Sequence, residues 1–289
     1  MIKKYIIAIL TVLLISLPTL AVQYTPEKYC TPAYDVSSKT NQFMSKMFGA
    51  TFLAEKVGES IIRKQIKKES GQKVKVSLKS YSLKDLKKGI FKSLKITGKN
   101  LDIDGTKITL FESKTLCNFN YFDLTTDEIY NKSNLLMDYS IMMTEKDLKE
   151  TVNSKDYNAI LQKVDLSALG IKLLKLESVD VAIKNERLHV LLTVSSGITN
   201  LFNKASNLKF EISTALNVVD GKINVYDVRL ENSNKKLNIA KYLSLIKFID
   251  PLQYSMDAFS IKNGKLIINT INIVDDKILV DGIIFIPKK

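Results

Sequence analysis

The only histidine of the chain, His189, limits the catalytic chemistry that the sequence can offer. It lies in the strand-like run Arg187–Leu191, and a Ser/His/Asp triad would have to use it. A lone histidine at the margin of a strand is more often a surface residue, and we interpret His189 in that way. The two cysteines, Cys30 and Cys117, are too few and too distant for a zinc site. We therefore expect a protein that is not an enzyme, with no catalytic residue, no metal and no cofactor.

Other motifs of known reaction centres are also missing from the sequence. The chain has no phosphate-binding glycine loop and no Gly-x-Ser-x-Gly elbow. Its 30 acidic residues leave a carboxylate pair for glycoside cleavage open, although no spacing favours one. An envelope enzyme that acts on lipid or glycan is therefore the third of three hypotheses, and it would need His189 or a specific carboxylate.

Lysine dominates the charge of the chain and argues against nucleic acid as a partner. Lysine and arginine total 43, against 30 aspartate and glutamate residues. Between Arg63 and Lys99, twelve lysines and one arginine face only two acids. Base readout favours arginine and stacking needs interleaved aromatic residues, whereas here lysine far outweighs arginine and aromatic residues are not interleaved with the basic run. An anionic membrane surface fits better, at about 1 kcal/mol per nearby lysine, while the simpler interpretation is that the lysines cover solvated faces of a helix and strands.

The segment Leu83–Lys92 has the most membrane-like pattern of the chain. Its apolar residues fall near one face of a helix and its lysines elsewhere, which is typical of a turn that lies on a membrane surface. Gly89 weakens a continuous helix, so a loop followed by a strand from about Lys92 is an equal alternative. The candidate membrane-surface residues are Lys84, Lys87, Lys88, Ile90, Phe91 and Lys92.

Residues 1–21 have the pattern of a secretory signal peptide. Lys3 and Lys4 precede an apolar run of about 13 residues, shorter than the roughly 20 that span a bilayer, and small residues follow Pro18. An uncleaved membrane anchor is the alternative. Cleavage would remove two lysines, and 43 − 2 = 41 basic against 30 acidic residues leaves a net charge of +11. We expect export to the periplasm or cell envelope, as a soluble or peripherally membrane-associated protein.

Export would place the two cysteines in an oxidising compartment, where a disulfide can form. Cys30 falls within residues 22–40, which contain Pro26, Pro32 and polar residues and which we interpret as a flexible N-terminal arm. Sequence spacing does not test the geometry of a bridge to Cys117, so the bond stays open at this point.

Residues 41–289 have the pattern of one α+β domain. From 41 to 69, apolar residues repeat at helical spacing, which predicts one helix of 29 residues and about 40 Å, ended by Ser70-Gly71. We expect further helices at 144–164, opened by a capping box with Asp147, and at 237–249. Between the helices the period is two, and Asp-Gly or Asn-Gly pairs predict hairpins at 104–105, 220–221 and 263–264, with a weaker signal at 185–186.

The C-terminal hairpin has apolar residues on both faces. On an extended chain, Leu266 and Ile268 share one face, while Ile267, Ile271 and Ile273 share the other. An antiparallel sheet with one solvated face would alternate between apolar and polar residues. The pattern therefore predicts a second apolar face, and the purpose of that face is a central question about this protein.

The order of the segments is the basis of a family resemblance. A signal peptide, a long helix ended by Gly71 and late hairpins are combined with the motifs Leu83-x-x-Leu86-x-x-Gly89, Leu94-x-Ile96, Ile261-Lys262-Asn263-Gly264-Lys265-Leu266 and Val280-Asp281-Gly282. This order resembles the LmeA-like family of exported bacterial phospholipid-binding proteins, which is placed with the tubular lipid-binding (TULIP) proteins. The resemblance covers roughly residues 45 to 286 and rests on spacing and hydrophobic pattern.

The resemblance implies a long N-terminal helix wrapped by a strongly curved, mostly antiparallel β-sheet, with an apolar groove for acyl chains between them. An acyl chain of about 16 carbons loses on the order of 12 kcal/mol when it leaves a membrane for water, so a carrier must replace that environment. The alternative is that the same residues make ordinary core contacts of helix on sheet. The expected groove-lining residues are Met44, Met47, Phe48, Phe52, Val57, Ile61, Leu266 and Ile268.

The first hypothesis is therefore a non-enzymatic protein that binds or transfers phospholipid by holding acyl chains in this groove. The second is a membrane-surface or cell-wall-polymer adhesion module with a plain packed core and a basic docking face. The expected partners are phospholipid and an anionic membrane surface. We expect no nucleic acid partner, and we expect a monomer.

Overall fold

The structure, a computed structural model, describes residues 26–123, 130–161, 174–196, 208–231, Leu252, Met256 and 264–289. It has an α+β fold with few helices and mostly antiparallel sheets, as the sequence predicts. The predicted signal peptide at 1–21, the predicted helix at 237–249 and the first residue of the 263–264 turn lie outside the described residues.

The helices and strands of the described ranges follow the predicted order. The helices are α1 Pro26–Tyr29, α2 Lys39–Met47, α3 Ala50–Ser70, α4 Leu83–Lys87, α5 Glu145–Val152 and α6 Lys155–Leu161. The strands are β1 Val74–Lys79, β2 Ile90–Phe91, β3 Ser93–Ile103, β4 Thr106–Thr115, β5 Asn120–Asp123, β6 Tyr130–Asn131, β7 Leu135–Thr144, β8 Leu174–Lys184, β9 Arg187–Ser196, β10 Leu208–Val219, β11 Lys222–Leu230, β12 Lys265–Val274 and β13 Lys277–Ile286.

These strands form three antiparallel sheets. The main sheet has the order β1-β3-β4-β7-β13-β12, and the second sheet has the order β11-β10-β9-β8. A small sheet has the order β2-β5-β6. The main sheet is not strongly curled, and α3 packs on its edge strand β1. The described sheet therefore borders the helix along one edge.

Local signals in the sequence place several turns and helix ends correctly. Positive φ angles of 48° to 57° occur at Asp104, Asn185, Glu186 and Asp220, in the predicted hairpin turns. The capping box of α5 is also confirmed, because the side chains of Thr144 and Asp147 each accept a hydrogen bond from the backbone of the other. The predicted helix at 144–164 is divided, within its described part, into α5 and α6.

Gly49 divides the predicted N-terminal helix in two. Its φ of +69° is left-handed, a conformation that favours glycine because it has no Cβ. The N–H groups of Phe48 and Gly49 donate to the carbonyls of Met44 and Lys46, which ends α2. The prediction of one continuous helix is therefore wrong: α2 has 9 residues and α3 has 21, or about 32 Å. The predicted end of the helix at Gly71 is confirmed.

One large hydrophobic core joins the main sheet, the second sheet and helices α5 and α6. The backbone N–H of Ile268 on β12 donates to the carbonyl of Gly221, at 2.9 Å, and so links the two sheets. The most deeply buried members of this core include Ile141, Val280, Ile278, Val181, Val190, Leu148 and Tyr157.

A β-bulge in β12 overturns the predicted faces of the C-terminal hairpin. The pairing register shifts by one residue between Ile268 and Thr270. One extra residue reverses the alternation of side chains, so Leu266, Ile268, Ile271 and Ile273 all pack on the same core. The prediction that Ile271 and Ile273 face away from Leu266 and Ile268 is therefore wrong.

The opposite face of the hairpin is a smaller apolar surface that the N-terminal arm covers. Ile283 packs with Leu136 and Cys117, and Tyr29 and Cys30 pack against this cluster. Cys30 and Cys117 form a disulfide, with their Cα atoms 5.4 Å apart, which answers the question that the sequence leaves open. The second apolar face thus holds the predicted arm against the sheet at these residues.

Candidate functional site

Helix α3 packs on the protein through a polar face. Thr51, Glu55 and Glu59 are buried and recur every four residues, so they lie in one row along the helix. A Cβ atom added at Gly58 would lie 2.8 Å from Cδ2 of Leu78, so this glycine permits a close approach to β1. Amphipathic helices usually turn their apolar stripe toward the core. This helix turns small and acidic residues toward it.

Two carboxylates of α3 bind the open edge of the main sheet. The N–H of Ser80 donates to Oε1 of Glu55 at 2.6 Å, and the N–H of Leu78 donates to Oε1 of Glu59 at 3.1 Å. These donors point away from β3, where an unprotected edge strand would offer them to another chain. Leaving a buried donor unsatisfied costs about 1–3 kcal/mol. The acidic row therefore attaches the helix to the edge and satisfies two of the donors there.

The Glu59 carboxylate is suited to this contact by its charge. Burial raises the pKa of the Glu59 carboxyl, but hydrogen bonds from Lys56 and from the Leu78 N–H outweigh burial and hold that pKa below its usual value. The Lys56 Nζ atom lies 2.9 Å from Oε2 of Glu59. An ionised acceptor makes stronger hydrogen bonds than a neutral one, so the edge contact is strongest at neutral pH.

The outward side of α2 and α3 is apolar and exposed. Eight large side chains there, which we call the elbow surface, are between 42% and 70% exposed. Large apolar side chains that are exposed together often mark a binding surface. The elbow surface consists of Phe43, Met44, Met47, Phe48, Phe52, Leu53, Val57 and Ile61.

Hydrogen bonds hold the bend beneath the elbow surface. The hydroxyls of Ser45 on α2 and Thr51 on α3 lie 2.6 Å apart across the Gly49 turn. The N–H of Leu83, at the start of α4, donates to Oγ of Ser45 at 3.1 Å. These contacts fix α2, α3 and α4 to one another, so the apolar side chains project from an ordered support.

Lysines surround the elbow surface. Lys39, Lys46 and Lys56 are exposed on α2 and α3 themselves. Lys84 and Lys87 are exposed on α4, which packs against α3. Glu55 and Glu59 face the sheet, although Glu59 pairs with Lys56 of this rim at 2.9 Å. The result is an apolar centre with a basic rim.

The structure divides the predicted membrane-surface segment 83–92. Lys84 and Lys87 are exposed, as the prediction requires. Ile90 and Phe91 are buried in β2, which pairs with β5, so the prediction that they contact a membrane is wrong. The two remaining lysines are engaged elsewhere, since Lys88 pairs with Asp35 at 2.7 Å and Lys92 lies 4.8 Å from the ring centroid of Tyr81.

The structure does not bring together the two halves of the predicted groove. Met44, Met47, Phe48, Phe52, Val57 and Ile61 belong to the exposed elbow surface. Ile268, which is 6% exposed, and Leu266 instead pack into the large core on β12. β1 and β12 are the opposite edges of the main sheet, five strand spacings or about 24 Å apart.

Sequence reasoning identified the apolar stripe but missed several residues of the site. Phe43 and Leu53 belong to the elbow surface, and Glu55 and Glu59 make the edge contact, yet none of them was among the predicted site residues. The i, i+4 spacing of the two glutamates is the signal that could have revealed the polar packing face. It places both carboxylates on one side of the helix, away from Leu53 and Val57.

The interpretation of His189 as a surface residue is wrong. The side chain is 6% exposed, and its Nδ1 lies 2.9 Å from Oε1 of Glu211, while Nε2 has no hydrogen-bond partner among the residues that the structure describes. A hydrogen bond from Lys184 lowers the pKa of Glu211, and His189 adds to this effect against the cost of burial. Ser213 is the pairing partner of His189 on β10, but its hydroxyl donates to Glu231. These residues therefore lack the serine-to-histidine hydrogen bond of a catalytic triad.

Comparisons with known proteins identify no relative, so the functional assignment rests on the geometry of the chain itself. Comparison with protein-family models, with curated proteins and with solved structures finds no match. The resemblance to the LmeA-like family therefore rests on the sequence pattern alone. In the described ranges, no helix is long and apolar enough to cross a membrane. The same ranges hold no group of three or more His, Cys, Asp or Glu side chains that could bind a metal ion.

Proposed function

We propose that the protein binds the surface of an anionic lipid bilayer by inserting its elbow surface between the lipid headgroups. The observation that carries this proposal is the inverted packing of α3, whose acidic row binds β1 while its apolar residues project outward. A helix with an apolar face and a lysine rim has the composition of helices that lie in the plane of a membrane interface.

The combined contributions of the apolar side chains and of the lysines favour a bilayer over a purely apolar partner. Full burial of one large apolar side chain contributes about 1.5–3 kcal/mol, so insertion of only part of the elbow surface already gives measurable affinity. Lysines near anionic lipid add about 1 kcal/mol each, and four exposed lysines on α2 and α4 are available besides Lys56, which pairs with Glu59. The combination requires both hydrocarbon and negative charge in the target, which an anionic membrane supplies.

A phospholipid carrier of the TULIP type is the second candidate function, and the same exposed surface supports it. Met44 and Met47 adapt to varied ligand shapes, and the apolar row on α3 is long enough to follow an acyl chain. A groove would require another part of the protein to cover this row. The two candidates differ in stoichiometry, because a carrier retains about one lipid per protein after purification, whereas a surface-binding protein retains none.

The cellular setting that fits both candidates is the bacterial cell envelope. The signal-like segment 1–21 and the disulfide between Cys30 and Cys117 agree with an exported protein, since disulfides persist in oxidising compartments. The protein would act there without catalysis, as a peripheral membrane component.

Vesicle flotation with matched variants tests the proposal. The double variant Phe48→Asp/Leu53→Asp places two charges on the elbow surface and should reduce binding to phosphatidylglycerol-containing vesicles at least tenfold. The control Tyr226→Asp/Val274→Asp changes two side chains of 47% and 48% exposure on β11 and β12 and should bind as the wild type does. Equal binding by both variants would overturn the proposal. Native mass spectrometry of the wild type then separates the two candidates by the presence or absence of bound phospholipid.

A further inference from the structure

The N-terminal arm is attached to the rest of the protein at its first described part. The disulfide joins Cys30 to Cys117, in the connection between β4 and β5. Beside it, the side-chain amide of Asn134 donates to the carbonyl of Tyr29 at 2.7 Å, and the Asn134 N–H donates to Oγ1 of Thr31 at 3.1 Å. One covalent bond and two hydrogen bonds therefore hold the same short part of the arm.

The arm also fixes the start of α2. Ser37 lies two residues before this helix, and its N–H and its hydroxyl both donate to the Asp85 carboxylate, at 2.8 and 2.6 Å. Asp85 is fully buried on α4, and its carboxylate also accepts a hydrogen bond from the Ser82 hydroxyl at 2.7 Å. The side chain of Gln42 on α2 donates to the Ser37 carbonyl at 2.7 Å. The position of α2 therefore depends on the arm through Ser37.

Helix α2 has no buried residue of its own. Its side chains Phe43, Met44 and Met47 belong to the elbow surface and are between 42% and 65% exposed. An isolated helix of 9 residues is marginal in water, so α2 needs its contacts with neighbouring segments in order to stay folded. The described contacts lie near its two ends, at Ser37 and at Ser45.

The disulfide is the strongest attachment of an otherwise superficial arm. From residue 28 to residue 38, no residue of the arm is buried. The ion pair between Asp35 and Lys88 joins side chains that are 50% and 36% exposed, and exposed pairs contribute little to stability. The disulfide joins residues that are 87 positions apart, and a bond across so long a segment strongly limits the conformations of a detached arm.

We propose that the Cys30–Cys117 disulfide is a redox switch for the elbow surface, because the oxidised arm holds α2 beside α3 through Ser37. Formation of the bond removes two protons and two electrons from the two thiols, and a disulfide-bearing oxidant accepts them by thiol–disulfide exchange. A chain in a reducing compartment keeps both thiols, so noncovalent contacts alone hold its arm. The elbow surface is then incomplete, because the side chains of α2 lose the support that they share with those of α3. The consequence for bilayer binding rests on the proposed function.

Hydrogen exchange of the oxidised and the reduced protein tests this inference. Reduction with a phosphine should speed exchange at the α2 amides at least about tenfold, whereas the amides of β9, in the second sheet, should change by less than about twofold. The variant Cys30→Ser/Cys117→Ser should show the same fast exchange with and without the reductant. Unchanged exchange in α2 after reduction and in this variant would overturn the inference. An equal increase in α2 and β9 would also overturn it, since loss of the bond would then loosen the whole protein.

The variant Ser37→Ala keeps the disulfide and tests the connection between the arm and α2. It removes the hydroxyl that donates to Asp85, so α2 should exchange faster than in the wild type even when the bond is formed. Reduction of this variant should then add less than about twofold, because the two changes act on the same connection. The control Ser70→Ala removes a hydroxyl at the far end of α3 and should leave α2 exchange unchanged. A full tenfold increase on reduction of Ser37→Ala would overturn the connection through Ser37.

Vesicle flotation separates the failure of this inference from the failure of the proposed function. Reduction should weaken binding of the wild type to phosphatidylglycerol-containing vesicles at least about threefold, and it should not change binding by Cys30→Ser/Cys117→Ser. Equal binding by the oxidised and the reduced wild type would overturn the switch and keep the bilayer proposal. If the oxidised wild type does not float, the bilayer proposal fails, and exchange in α2 still decides whether the disulfide orders the elbow surface.

Discussion

The two edges of the main sheet are protected in opposite ways. At the β12 edge, Ile268 and Ile271 face the large core and the backbone links to the second sheet through Gly221. At the β1 edge, Glu55 and Glu59 accept the free backbone N–H groups, and the apolar residues of the covering helix face outward. At each edge another element accepts a hydrogen bond from at least one backbone N–H, but only the β12 edge also buries apolar side chains.

This difference shows that an apolar stripe does not determine which way a helix faces. Helix α3 docks through hydrogen bonds to the carboxylates of Glu55 and Glu59 and through a close approach at Gly58, and these contacts leave the apolar stripe available. Burial of an inward apolar stripe stabilises the fold. An outward stripe can instead be buried by a partner, so its burial contributes to the free energy of binding. We therefore expect substitutions at the β12 edge to change mainly stability. Substitutions on the apolar stripe of α3 should change mainly binding.

The largest expected effect is on stability, at two residues that the sequence assigns to the same groove. Ile268→Asp places a charge in the large core and should lower the free energy of unfolding by more than about 4 kcal/mol. Val57→Asp, at a side chain that is 60% exposed, should change it by less than about 0.5 kcal/mol. Urea unfolding followed by circular dichroism measures both. Similar losses in the two variants would show that Val57 is a core residue and would break the comparison.

A smaller effect is expected from the acidic row at the β1 edge. Glu55→Ala or Glu59→Ala leaves the N–H of Ser80 or Leu78 without its partner and should cost about 1–3 kcal/mol. Hydrogen exchange should then become faster at those two amides before others in the main sheet. Glu150→Ala removes an exposed acid of α5 that lies 3.7 Å from Lys146, and it should cost less than about 1 kcal/mol. Unchanged exchange at Leu78 and Ser80 would contradict the edge contact.

The smallest expected effect is a dependence of stability on acidic pH. Burial raises the pKa of Glu59, but hydrogen bonds outweigh it and hold this pKa below its ordinary value of 4.5. The pKa of Glu145 is also lowered, mainly because the Ile183 N–H donates a hydrogen bond to its carboxylate at 2.8 Å. A lowered pKa in the folded state means that the stabilisation is fully present above pH 4.5 and is lost as the pH falls through the folded value.

Unfolding free energies between pH 3 and pH 7 measure this dependence. Glu59→Gln and Glu145→Gln should each flatten the profile below pH 4.5, and Glu150→Gln, which changes an exposed acid, serves as the control. A profile that is equally steep in the Glu59→Gln variant would show that the β1 edge contact does not depend on the charge of that carboxylate.

Much of the fold follows from local features of the sequence. The α+β class, the turns at Asp104, Asn185 and Asp220, the capping box at Thr144 and the end of α3 at Gly71 were all predicted. Each depends on the conformational preference of a few neighbouring residues, such as the tolerance of glycine, asparagine and aspartate for positive φ. Such preferences act within a turn or a cap and need no knowledge of distant contacts.

The candidate site followed from the sequence only in part. The apolar residues from Met44 to Ile61 were identified, but as the lining of a groove with Leu266 and Ile268, which lie at the other edge of the sheet. The bulge between Ile268 and Thr270 also reversed the predicted faces of β12, because one inserted residue is enough to exchange them. Neither the partner of a helix nor the position of a bulge is marked by residue type alone.

The sequence by itself determined the α+β class, several turns and helix caps, the excess of lysine, and the presence of an apolar row from Phe43 to Ile61. Only the tertiary structure decided that this row is exposed, that the Cys30–Cys117 bridge forms, and that Asp85 binds the arm at Ser37. The physical reason is that burial, register and pairing depend on contacts between residues far apart in the chain. A periodic pattern defines a face, and the packing of the whole molecule determines what that face meets.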